Sequence, residues 1–269
     1  MEFFKLQGAG NDFVVFDNRD GAMSLDDLIA ITPRLSHRRT GVGADGVMAL
    51  FPASDNQTAY SMIYRNADGS DAGMCGNGGR CIARLAAELG VSNSHRFRVH
   101  NNVYEVQVLP DRVRLHFPSK PTIKSVEDPQ FGILYQVCTG TEHVVVNVSE
   151  HQLKDRQWLR ETGKTLRYDP RFSPRGTNVN FMLSRADHTV DLVTYERGVE
   201  NLTLSCGTGS LAAGLVSAHQ HDHPPGVHRI SVVNSGGILQ AEFRKMDAGY
   251  SSLVLEGPAE IVFKGKINV

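Results

Sequence analysis

Two stretches of the chain, Cys75-Gly76-Asn77-Gly78 and Cys206-Gly207-Thr208-Gly209, share one pattern, Cys-Gly-x-Gly. Each opens an apolar helical run. The first covers Ile82 to Leu89 and stops at Gly90, a C-terminal cap signal. The second, Leu211 to Ala218, is apolar or small all round, as a fully buried helix should be. The flanks match as well. A tyrosine stands eleven residues before each cysteine, which pairs Tyr64-Arg65-Asn66 with Tyr195-Glu196-Arg197. Gly10-Asn11-Asp12-Phe13-Val14-Val15 resembles Gly140-Thr141-Glu142-His143-Val144-Val145. Gly43-Ala44-Asp45-Gly46-Val47-Met48 takes the place of Gly176-Thr177-Asn178-Val179-Asn180-Phe181. Several matching blocks in one order argue duplication of a single fold unit. Two copies related by a pseudo-twofold axis would bring like elements face to face.

A length of 269 residues suits two domains at roughly 150 residues each. Apolar runs bounded by Gly, Asn, Asp or Pro predict strands, among them 13–16, 47–51, 59–64, 103–109, 113–117, 133–137, 144–148, 179–183, 190–195 and 238–243. Ser24, followed by Asp26 and Asp27, caps an outer helix that Pro33 should break or kink and that Arg38-Arg39 should end. Its counterpart lies near 155–161. Few connections alternate strand with helix, so the class is α+β rather than a doubly wound sheet. Each half is mostly strand around one buried central helix, and Pro118-Ser119-Lys120-Pro121 is the linker candidate. The halves are 1–118 and 119–258.

Charge and cysteine count exclude several functions. With 28 Lys and Arg against 29 Asp and Glu, the formal charge is −1. That gives no gross electrostatic reason to bind nucleic acid or an anionic membrane. The apolar stretches are too short for a transmembrane helix, and the opening residues lack the basic and apolar regions of a secretory signal. No two of the four cysteines have CxxC spacing, so neither a disulfide framework nor zinc is expected. The reading is of reduced thiols in a cytoplasmic protein. Cys81 and Cys138 read as small buried hydrophobes. His219, His221 and His223 read as a solvated helix end, Trp158 as packing, and Asp68 and Asp71 as turn formers.

Cys75 and Cys206 are different because of where they stand. A helix N-terminus offers unpaired N–H groups and a partial positive charge, and the glycines let a ligand come close to that backbone. Such a turn holds a carboxylate or phosphate and favours a thiolate. Two of them suit inversion of an amino-acid carbon without a cofactor: one thiolate removes the α-proton, and a thiol on the other face delivers another. Charge developing on the carboxylate is then stabilised by the helix ends. A single Cys-Gly-x-Gly turn is more often a glycine-rich anion loop or a helix entry with an inert thiol, and it is the repetition that favours catalysis. A vestigial duplication with one working copy, and a dithiol redox switch, also stay open.

At these residues the sequence resembles the diaminopimelate epimerase family over essentially its whole length. The resemblance rests on Gly10-Asn11-Asp12-Phe13, Asn66-Ala67-Asp68-Gly69-Ser70, Cys75 to Cys81, Gly176 to Phe181, Glu196-Arg197-Gly198 and Cys206-Gly207-Thr208-Gly209. It implies two similar halves, each a barrel-like, mostly antiparallel sheet around a central helix, with the last strand, 259–269, returning to the first half. It also implies a PLP-independent, two-base isomerase, commonly a homodimer, that interconverts LL- and meso-diaminopimelate for lysine and peptidoglycan precursors. No cofactor or metal is expected. By motif position Cys75 and Cys206 are the acid/base pair. Gly76, Asn77, Gly207 and Thr208 offer helix-end N–H groups to the reacting carboxylate. Glu196 holds an ammonium and, with His143, tunes thiol ionisation. Asn11, Asn66, Asn178 and Arg197 read the substrate, Arg197 at its distal carboxylate. Three features depart from many relatives. Gly46 stands where Gln is common, Thr141-Glu142 stands where Asn-Pro is common, and the segment from Gly198 to Cys206 is one residue longer. The rival readings are epimerisation of another amino acid and a non-enzymatic anion-binding or redox-switch protein.

Overall fold

The computed structural model describes residues 1–185 and 188–268. The strands are, in order, β1 (Glu2–Gly8), β2 (Asn11–Asp17), β3 (Gly46–Phe51), β4 (Tyr60–Asn66), β5 (Ser94–Val99), β6 (Asn102–Val108), β7 (Val113–Phe117), β8 (Ile123–Asp128) and β9 (Gly132–Cys138). They continue with β10 (Glu142–Asn147), β11 (Asn178–Ser184), β12 (Thr189–Glu196), β13 (Asn201–Thr203), β14 (Gly226–Asn234), β15 (Gly237–Lys245), β16 (Tyr250–Gly257) and β17 (Glu260–Lys266). The helices are α1 (Leu25–Ser36), α2 (Gly76–Glu88), α3 (Glu150–Lys154), α4 (Arg156–Arg167) and α5 (Gly207–Gln220). The chain divides into a unit of residues 1–118 and 257–269 and a unit of residues 119–256.

In the first unit the strands run β17-β1-β2-β3-β4-β5-β6-β7, with β2/β3 and β4/β5 parallel and the other pairs antiparallel. In the second they run β8-β9-β10-β11-β12-β14-β15-β16, with β10/β11 and β12/β14 parallel and the rest antiparallel. Strand for strand the two orders are the same, which is the α+β duplication expected. Within its own unit, α2 touches β1 to β4, β6, β7 and β17, and α5 touches β9 to β12, β14 and β15. A sheet therefore curls round each helix. Nothing on α5 from Gly207 to Ala218 faces water.

The other face of each sheet carries the outer helices. Leu28 and Leu35 of α1 pack on Val14, Phe16, Val47 and Ala49. Leu159 and Leu166 of α4 pack on Val144, Val146, Val179 and Phe181. Strands covered on both sides read as unbroken apolar runs, as β2 does at Phe13-Val14-Val15-Phe16. Ser24 caps α1 in a capping box with Asp27. Pro33 does not break that helix, which continues to Ser36. Near a C-terminus the missing N–H removes one backbone bond and the helix tolerates it. Arg38 lies beyond the end and pairs instead with Asp12 and Asp45 at 2.8 and 2.7 Å.

Two further expectations change. Cys138 is exposed rather than core, because it ends β9 one residue after the inward-facing Val137. Tyr64 and Tyr195 are not sheet counterparts. Tyr64 lies opposite Met48 on β3, while Thr194 lies opposite Asn180 on β11. The residue added before Cys206 accounts for the one-position slip. The histidine tract is at the solvated end of α5 as expected, with His219 and His221 exposed, while the His223 ring lies against those of His188 and His228, with centroids 5.0 and 4.9 Å away. Among the described residues, no three His, Cys, Asp or Glu side chains are grouped to hold a metal. Trp158 packs between Phe131 and Phe181, and Asp68 and Asp71 cap their own turns by accepting from Ser70 N–H and Gly73 N–H.

Candidate active site

Both motif cysteines occupy the N-cap of a central helix with extended backbone, Cys75 before α2 and Cys206 before α5. The first turns, Gly-Asn-Gly-Gly and Gly-Thr-Gly-Ser, contain no acidic residue to occupy their N–H groups. Gly76 and Asn77, and Gly207 and Thr208, are buried in those turns. Each sulfur thus sits at the positive end of a buried helix, a setting that favours anions.

The surroundings of the two sulfurs differ. Cys75 is half-buried. Its Sγ accepts from Gly78 N–H at 3.4 Å and lies 3.6 Å from the Asn11 amide oxygen, to which its S–H can donate. The Asn11 amide nitrogen in turn donates to Asp45. Sequence reading gave Arg80 no role, yet its side chain is completely buried one turn into α2. It donates to Gly76 O at 3.1 Å, Asn77 Oδ1 at 2.8 Å and Pro258 O at 3.4 Å. Burial lowers its pKa to about 10, against the pull of Cys81 and Cys75. It therefore stays a cation at neutral pH and braces the turn from below. Its signal was the motif itself, in which a charged residue follows Gly-Asn-Gly-Gly at the buried start of the helix. Cys81 is fully buried and its thiol is pushed up to about 12 by that burial.

Cys206 is buried, and its sulfur lies 3.7 Å from Thr208 Oγ1. Thr208 Oγ1 is 3.1 Å from Thr141 Oγ1 and 3.0 Å from His143 Nε2, which is itself 2.8 Å from Thr141 Oγ1. The other ring nitrogen of His143 is 3.0 Å from Asn180 Nδ2. His143 is completely buried. That burial, with the Arg197 charge nearby, brings its pKa down to about 3, so the ring is neutral at physiological pH.

The substrate-reading candidates divide in the same way. Asn178 donates to Glu142 O at 2.9 Å and accepts from Arg197 N–H at 2.9 Å. Arg197 Nη1 pairs with Glu142 Oε2 at 2.8 Å. The Glu142 side chain, which departs from the common family pattern, thus already engages the guanidinium expected to read a carboxylate. Burial raises the Glu142 carboxyl, but backbone hydrogen bonding and Arg197 outweigh it and leave its pKa below the usual range. Glu196 ends β12 in register with Asn201. Asn66 ends β4 opposite Gly46, with its amide donating to Ser70 Oγ at 3.0 Å. Hydrogen bonding thus gathers Asn11 with Cys75, His143 with Thr208 and Cys206, and Asn178 with Arg197. Asn66 is instead tied into its own turn.

Comparison with known proteins gives one consistent result. A family model described as diaminopimelate epimerase matches residues 3–111 and 135–262. Diaminopimelate epimerase of Aquifex aeolicus is 35% identical over 287 residues, covering 100% of this chain and 98% of that one. The enzyme of the same name from Chlorobaculum tepidum is 35% identical over 269 residues, covering 98% and 100%. Among solved structures, a Bacillus anthracis phenazine biosynthesis protein of the PhzF family superposes with a TM-score of 0.77 at 12% identity, covering 100% and 99%. A hydroxyproline epimerase from Agrobacterium vitis superposes with a TM-score of 0.70 at 14% identity, covering 99% and 90%. At such identities the structural likeness speaks for the fold alone.

Proposed function

The chain belongs to the diaminopimelate epimerase family, and on that premise we propose that Cys75 and Cys206 interconvert LL- and meso-diaminopimelate by a two-base mechanism. It is an isomerase of diaminopimelate and lysine biosynthesis. In the proposed step, the thiolate on one face takes the α-proton: the C–H bond breaks and an S–H bond forms. The thiol on the other face gives its proton to the same carbon, and its S–H bond breaks. Configuration inverts, no electrons leave the system, and the sulfurs have exchanged roles for the reverse reaction. The reacting carboxylate would be held by helix-start N–H groups, for which Gly76, Asn77, Gly207 and Thr208 are the candidates, so that N–H groups and helix dipoles oppose the charge that builds up as the proton leaves. On this reading PLP is not required, and the enzyme is a cytoplasmic homodimer.

The observation that carries the reading is the repeated N-cap cysteine. In each unit a thiol replaces the usual Ser, Thr, Asp or Asn cap of a buried helix whose first turn holds no acidic residue. The remaining roles are part of the same proposal. Glu196 holds a substrate ammonium, and Asn11, Asn66, Asn178 and Arg197 read the rest of the molecule.

The ion pair of Arg197 and Glu142 favours a competing substrate, an amino acid without a second carboxylate, because a distal carboxylate must share the guanidinium with Glu142. Diaminopimelate answers that objection in part, since its distal end carries an ammonium to engage Glu142 as well as a carboxylate to engage Arg197. The test is deuterium wash-in at the α-carbon of LL-diaminopimelate in D₂O, with reductant and without PLP. A panel of other amino acids runs in parallel. Exchange into diaminopimelate, lost in both Cys75→Ser and Cys206→Ser, is the expected result. No exchange defeats the epimerase reading, exchange only into another amino acid changes the substrate, and normal turnover by either variant defeats the two-thiol mechanism.

A further inference from the structure

The hydrogen bonds behind Cys206 have one self-consistent direction, set by a residue with no role so far. Val144 O can only accept, and it lies 3.1 Å from the Asn180 side-chain nitrogen. That identifies the nitrogen as the NH₂ end of the amide. Thr194 Oγ1 donates to the other end, Asn180 Oδ1, at 3.0 Å. The same NH₂ group faces His143 Nδ1 at 3.0 Å, so Nδ1 must accept. A neutral imidazole accepting at Nδ1 carries its proton on Nε2. Nε2–H then donates to Thr141 Oγ1 at 2.8 Å or directly to Thr208 Oγ1 at 3.0 Å, Thr141 donates to Thr208 Oγ1, and by either route the Thr208 hydroxyl is left to donate to Cys206 Sγ. In the opposite tautomer, Nδ1–H would meet the Asn180 NH₂ group head on. Nε2 would draw a threonine hydroxyl towards itself and away from the sulfur.

The first unit does not repeat this arrangement at the matching positions. The strand register places Phe13 beside Gly46 as it places His143 beside Asn178, and sets Met48 opposite Tyr64 as it sets Asn180 opposite Thr194. Helix contacts give the same correspondence, since a Cβ on Gly78 would meet Met48 and a Cβ on Gly209 would meet Asn180. The counterparts of His143, Asn180 and Thr194 are thus Phe13, Met48 and Tyr64. Cys75 meets Asn11 and, through it, Asp45 instead, so the duplicated fold does not by itself dictate the His143–Asn180 arrangement.

We propose that Asn180 is a positioning residue for the Cys206 thiol, fixing His143 in its Nε2–H tautomer so that a one-way chain of donors ends on the sulfur. It acts through His143, Thr141 and Thr208. The inference rests on the two-thiol reading for its bearing on catalysis, but its tests read the ring and the sulfur directly. In protein carrying ¹⁵N-labelled histidine, the His143 resonances should show an unprotonated Nδ1 and a protonated Nε2 from pH 5 to pH 8. A protonated Nδ1 overturns the proposal without any substitution being made.

The second measurement is alkylation by iodoacetamide as a function of pH, resolved peptide by peptide. Asn180→Leu should raise the Cys206 midpoint by about one pH unit, a roughly tenfold loss of thiolate at a given pH, and leave the Cys75 midpoint in place. Thr208→Val removes the hydroxyl through which both His143 Nε2–H and Thr141 reach the sulfur and should give the same upward shift, while Thr141 keeps the His143 tautomer in place, so a failure of Asn180→Leu to fold does not block the test. An unmoved Cys206 midpoint, or equal movement of both cysteines, refutes the role. If Cys206→Ser still turned over substrate, the two-thiol mechanism would fall while the tautomer result stood.

Discussion

Replacing Gly209 by alanine separates a specific polar fit from generic crowding at a helix start. The new Cβ would lie 2.3 Å from Asn180 Oδ1 and 3.3 Å from the Cys206 Cβ and Sγ atoms. An ordinary contact there needs the amide to retreat by about 1 Å, since contacts below 3.4 Å are already tight. Asn180 is completely buried, and its bonds to His143, Val144 and Thr194 are 3.0 to 3.1 Å long, so that retreat breaks them. Crowding costs about 1–3 kcal/mol and a stranded buried polar group about 1–3 kcal/mol. Alanine in a helix returns about 0.5–1 kcal/mol over glycine. The net loss is about 1–5 kcal/mol, with the melting temperature falling by about 2–4 °C for each kcal/mol in a chain of this size. Gly78→Ala is the control. Its Cβ would meet the Met48 sulfur at 2.9 Å, and a flexible thioether can yield, so the net change should stay within about 1 kcal/mol. Thermal unfolding can be followed by circular dichroism for both variants. For the second unit it can also be followed by fluorescence of Trp158, the single tryptophan, which packs 5.7 Å from Phe181. A Gly209→Ala loss no larger than that of Gly78→Ala would refute the account of Asn180 as a rigid, fully bonded group.

Other expected outcomes are simpler. His143 has a folded pKa of about 3, whereas an unfolded histidine titrates near 6.5. The unfolded chain therefore binds the proton first as pH falls, and stability is greatest above about 6.5 and declines towards pH 3 by up to about 1.4 kcal/mol per unit. His143→Gln should flatten that slope in urea titrations, and an unchanged slope would show that the ring is not the group responsible. Iodoacetamide at neutral pH should label the exposed Cys138 and leave Cys81 untouched, and mass spectrometry of the peptides decides it. Neither Cys81→Ser nor Cys138→Ser should remove activity. Glu142→Gln frees Arg197 from its ion pair and should change KM for diaminopimelate several-fold with little change in kcat; a change confined to kcat would place Glu142 elsewhere in the mechanism.

The duplication was legible because it left its trace in local patterns: glycines at a helix entry, unbroken apolar runs for doubly covered strands, and a capping box at Ser24. Strands whose partners lie far along the chain were harder to read. β1 reads Glu-Phe-Phe-Lys-Leu-Gln-Gly with no clean alternation, because both its faces are partly covered and its neighbour β17 arrives some 250 residues later. Cys138 looked buried because its run is apolar, yet alternation turns the final residue outward. The family pattern pointed to His143, but only the assembled sheet brings Asn180 against its ring. Asn180 is two residues beyond Asn178 on the same strand, and no local signal separates an asparagine that faces the ring from one that reads a substrate. The Arg197–Glu142 pair joins residues 55 positions apart, a distance over which sequence patterning carries no signal.

One strand of the first unit reaches it by an unusual route. β17 completes that unit's sheet beside β1, although the whole second unit precedes it in the chain. The same returning segment supplies Pro258 O to Arg80 and Ala259 O to Arg84, the two arginines of α2. A ribosome therefore releases a first unit that lacks both its eighth strand and the carbonyl over the cation beneath Cys75 until the second unit has been made. The older end of the chain waits on the younger, and both the Cys75 turn and the free edge of β1 gain their full contacts only after the second unit has been made.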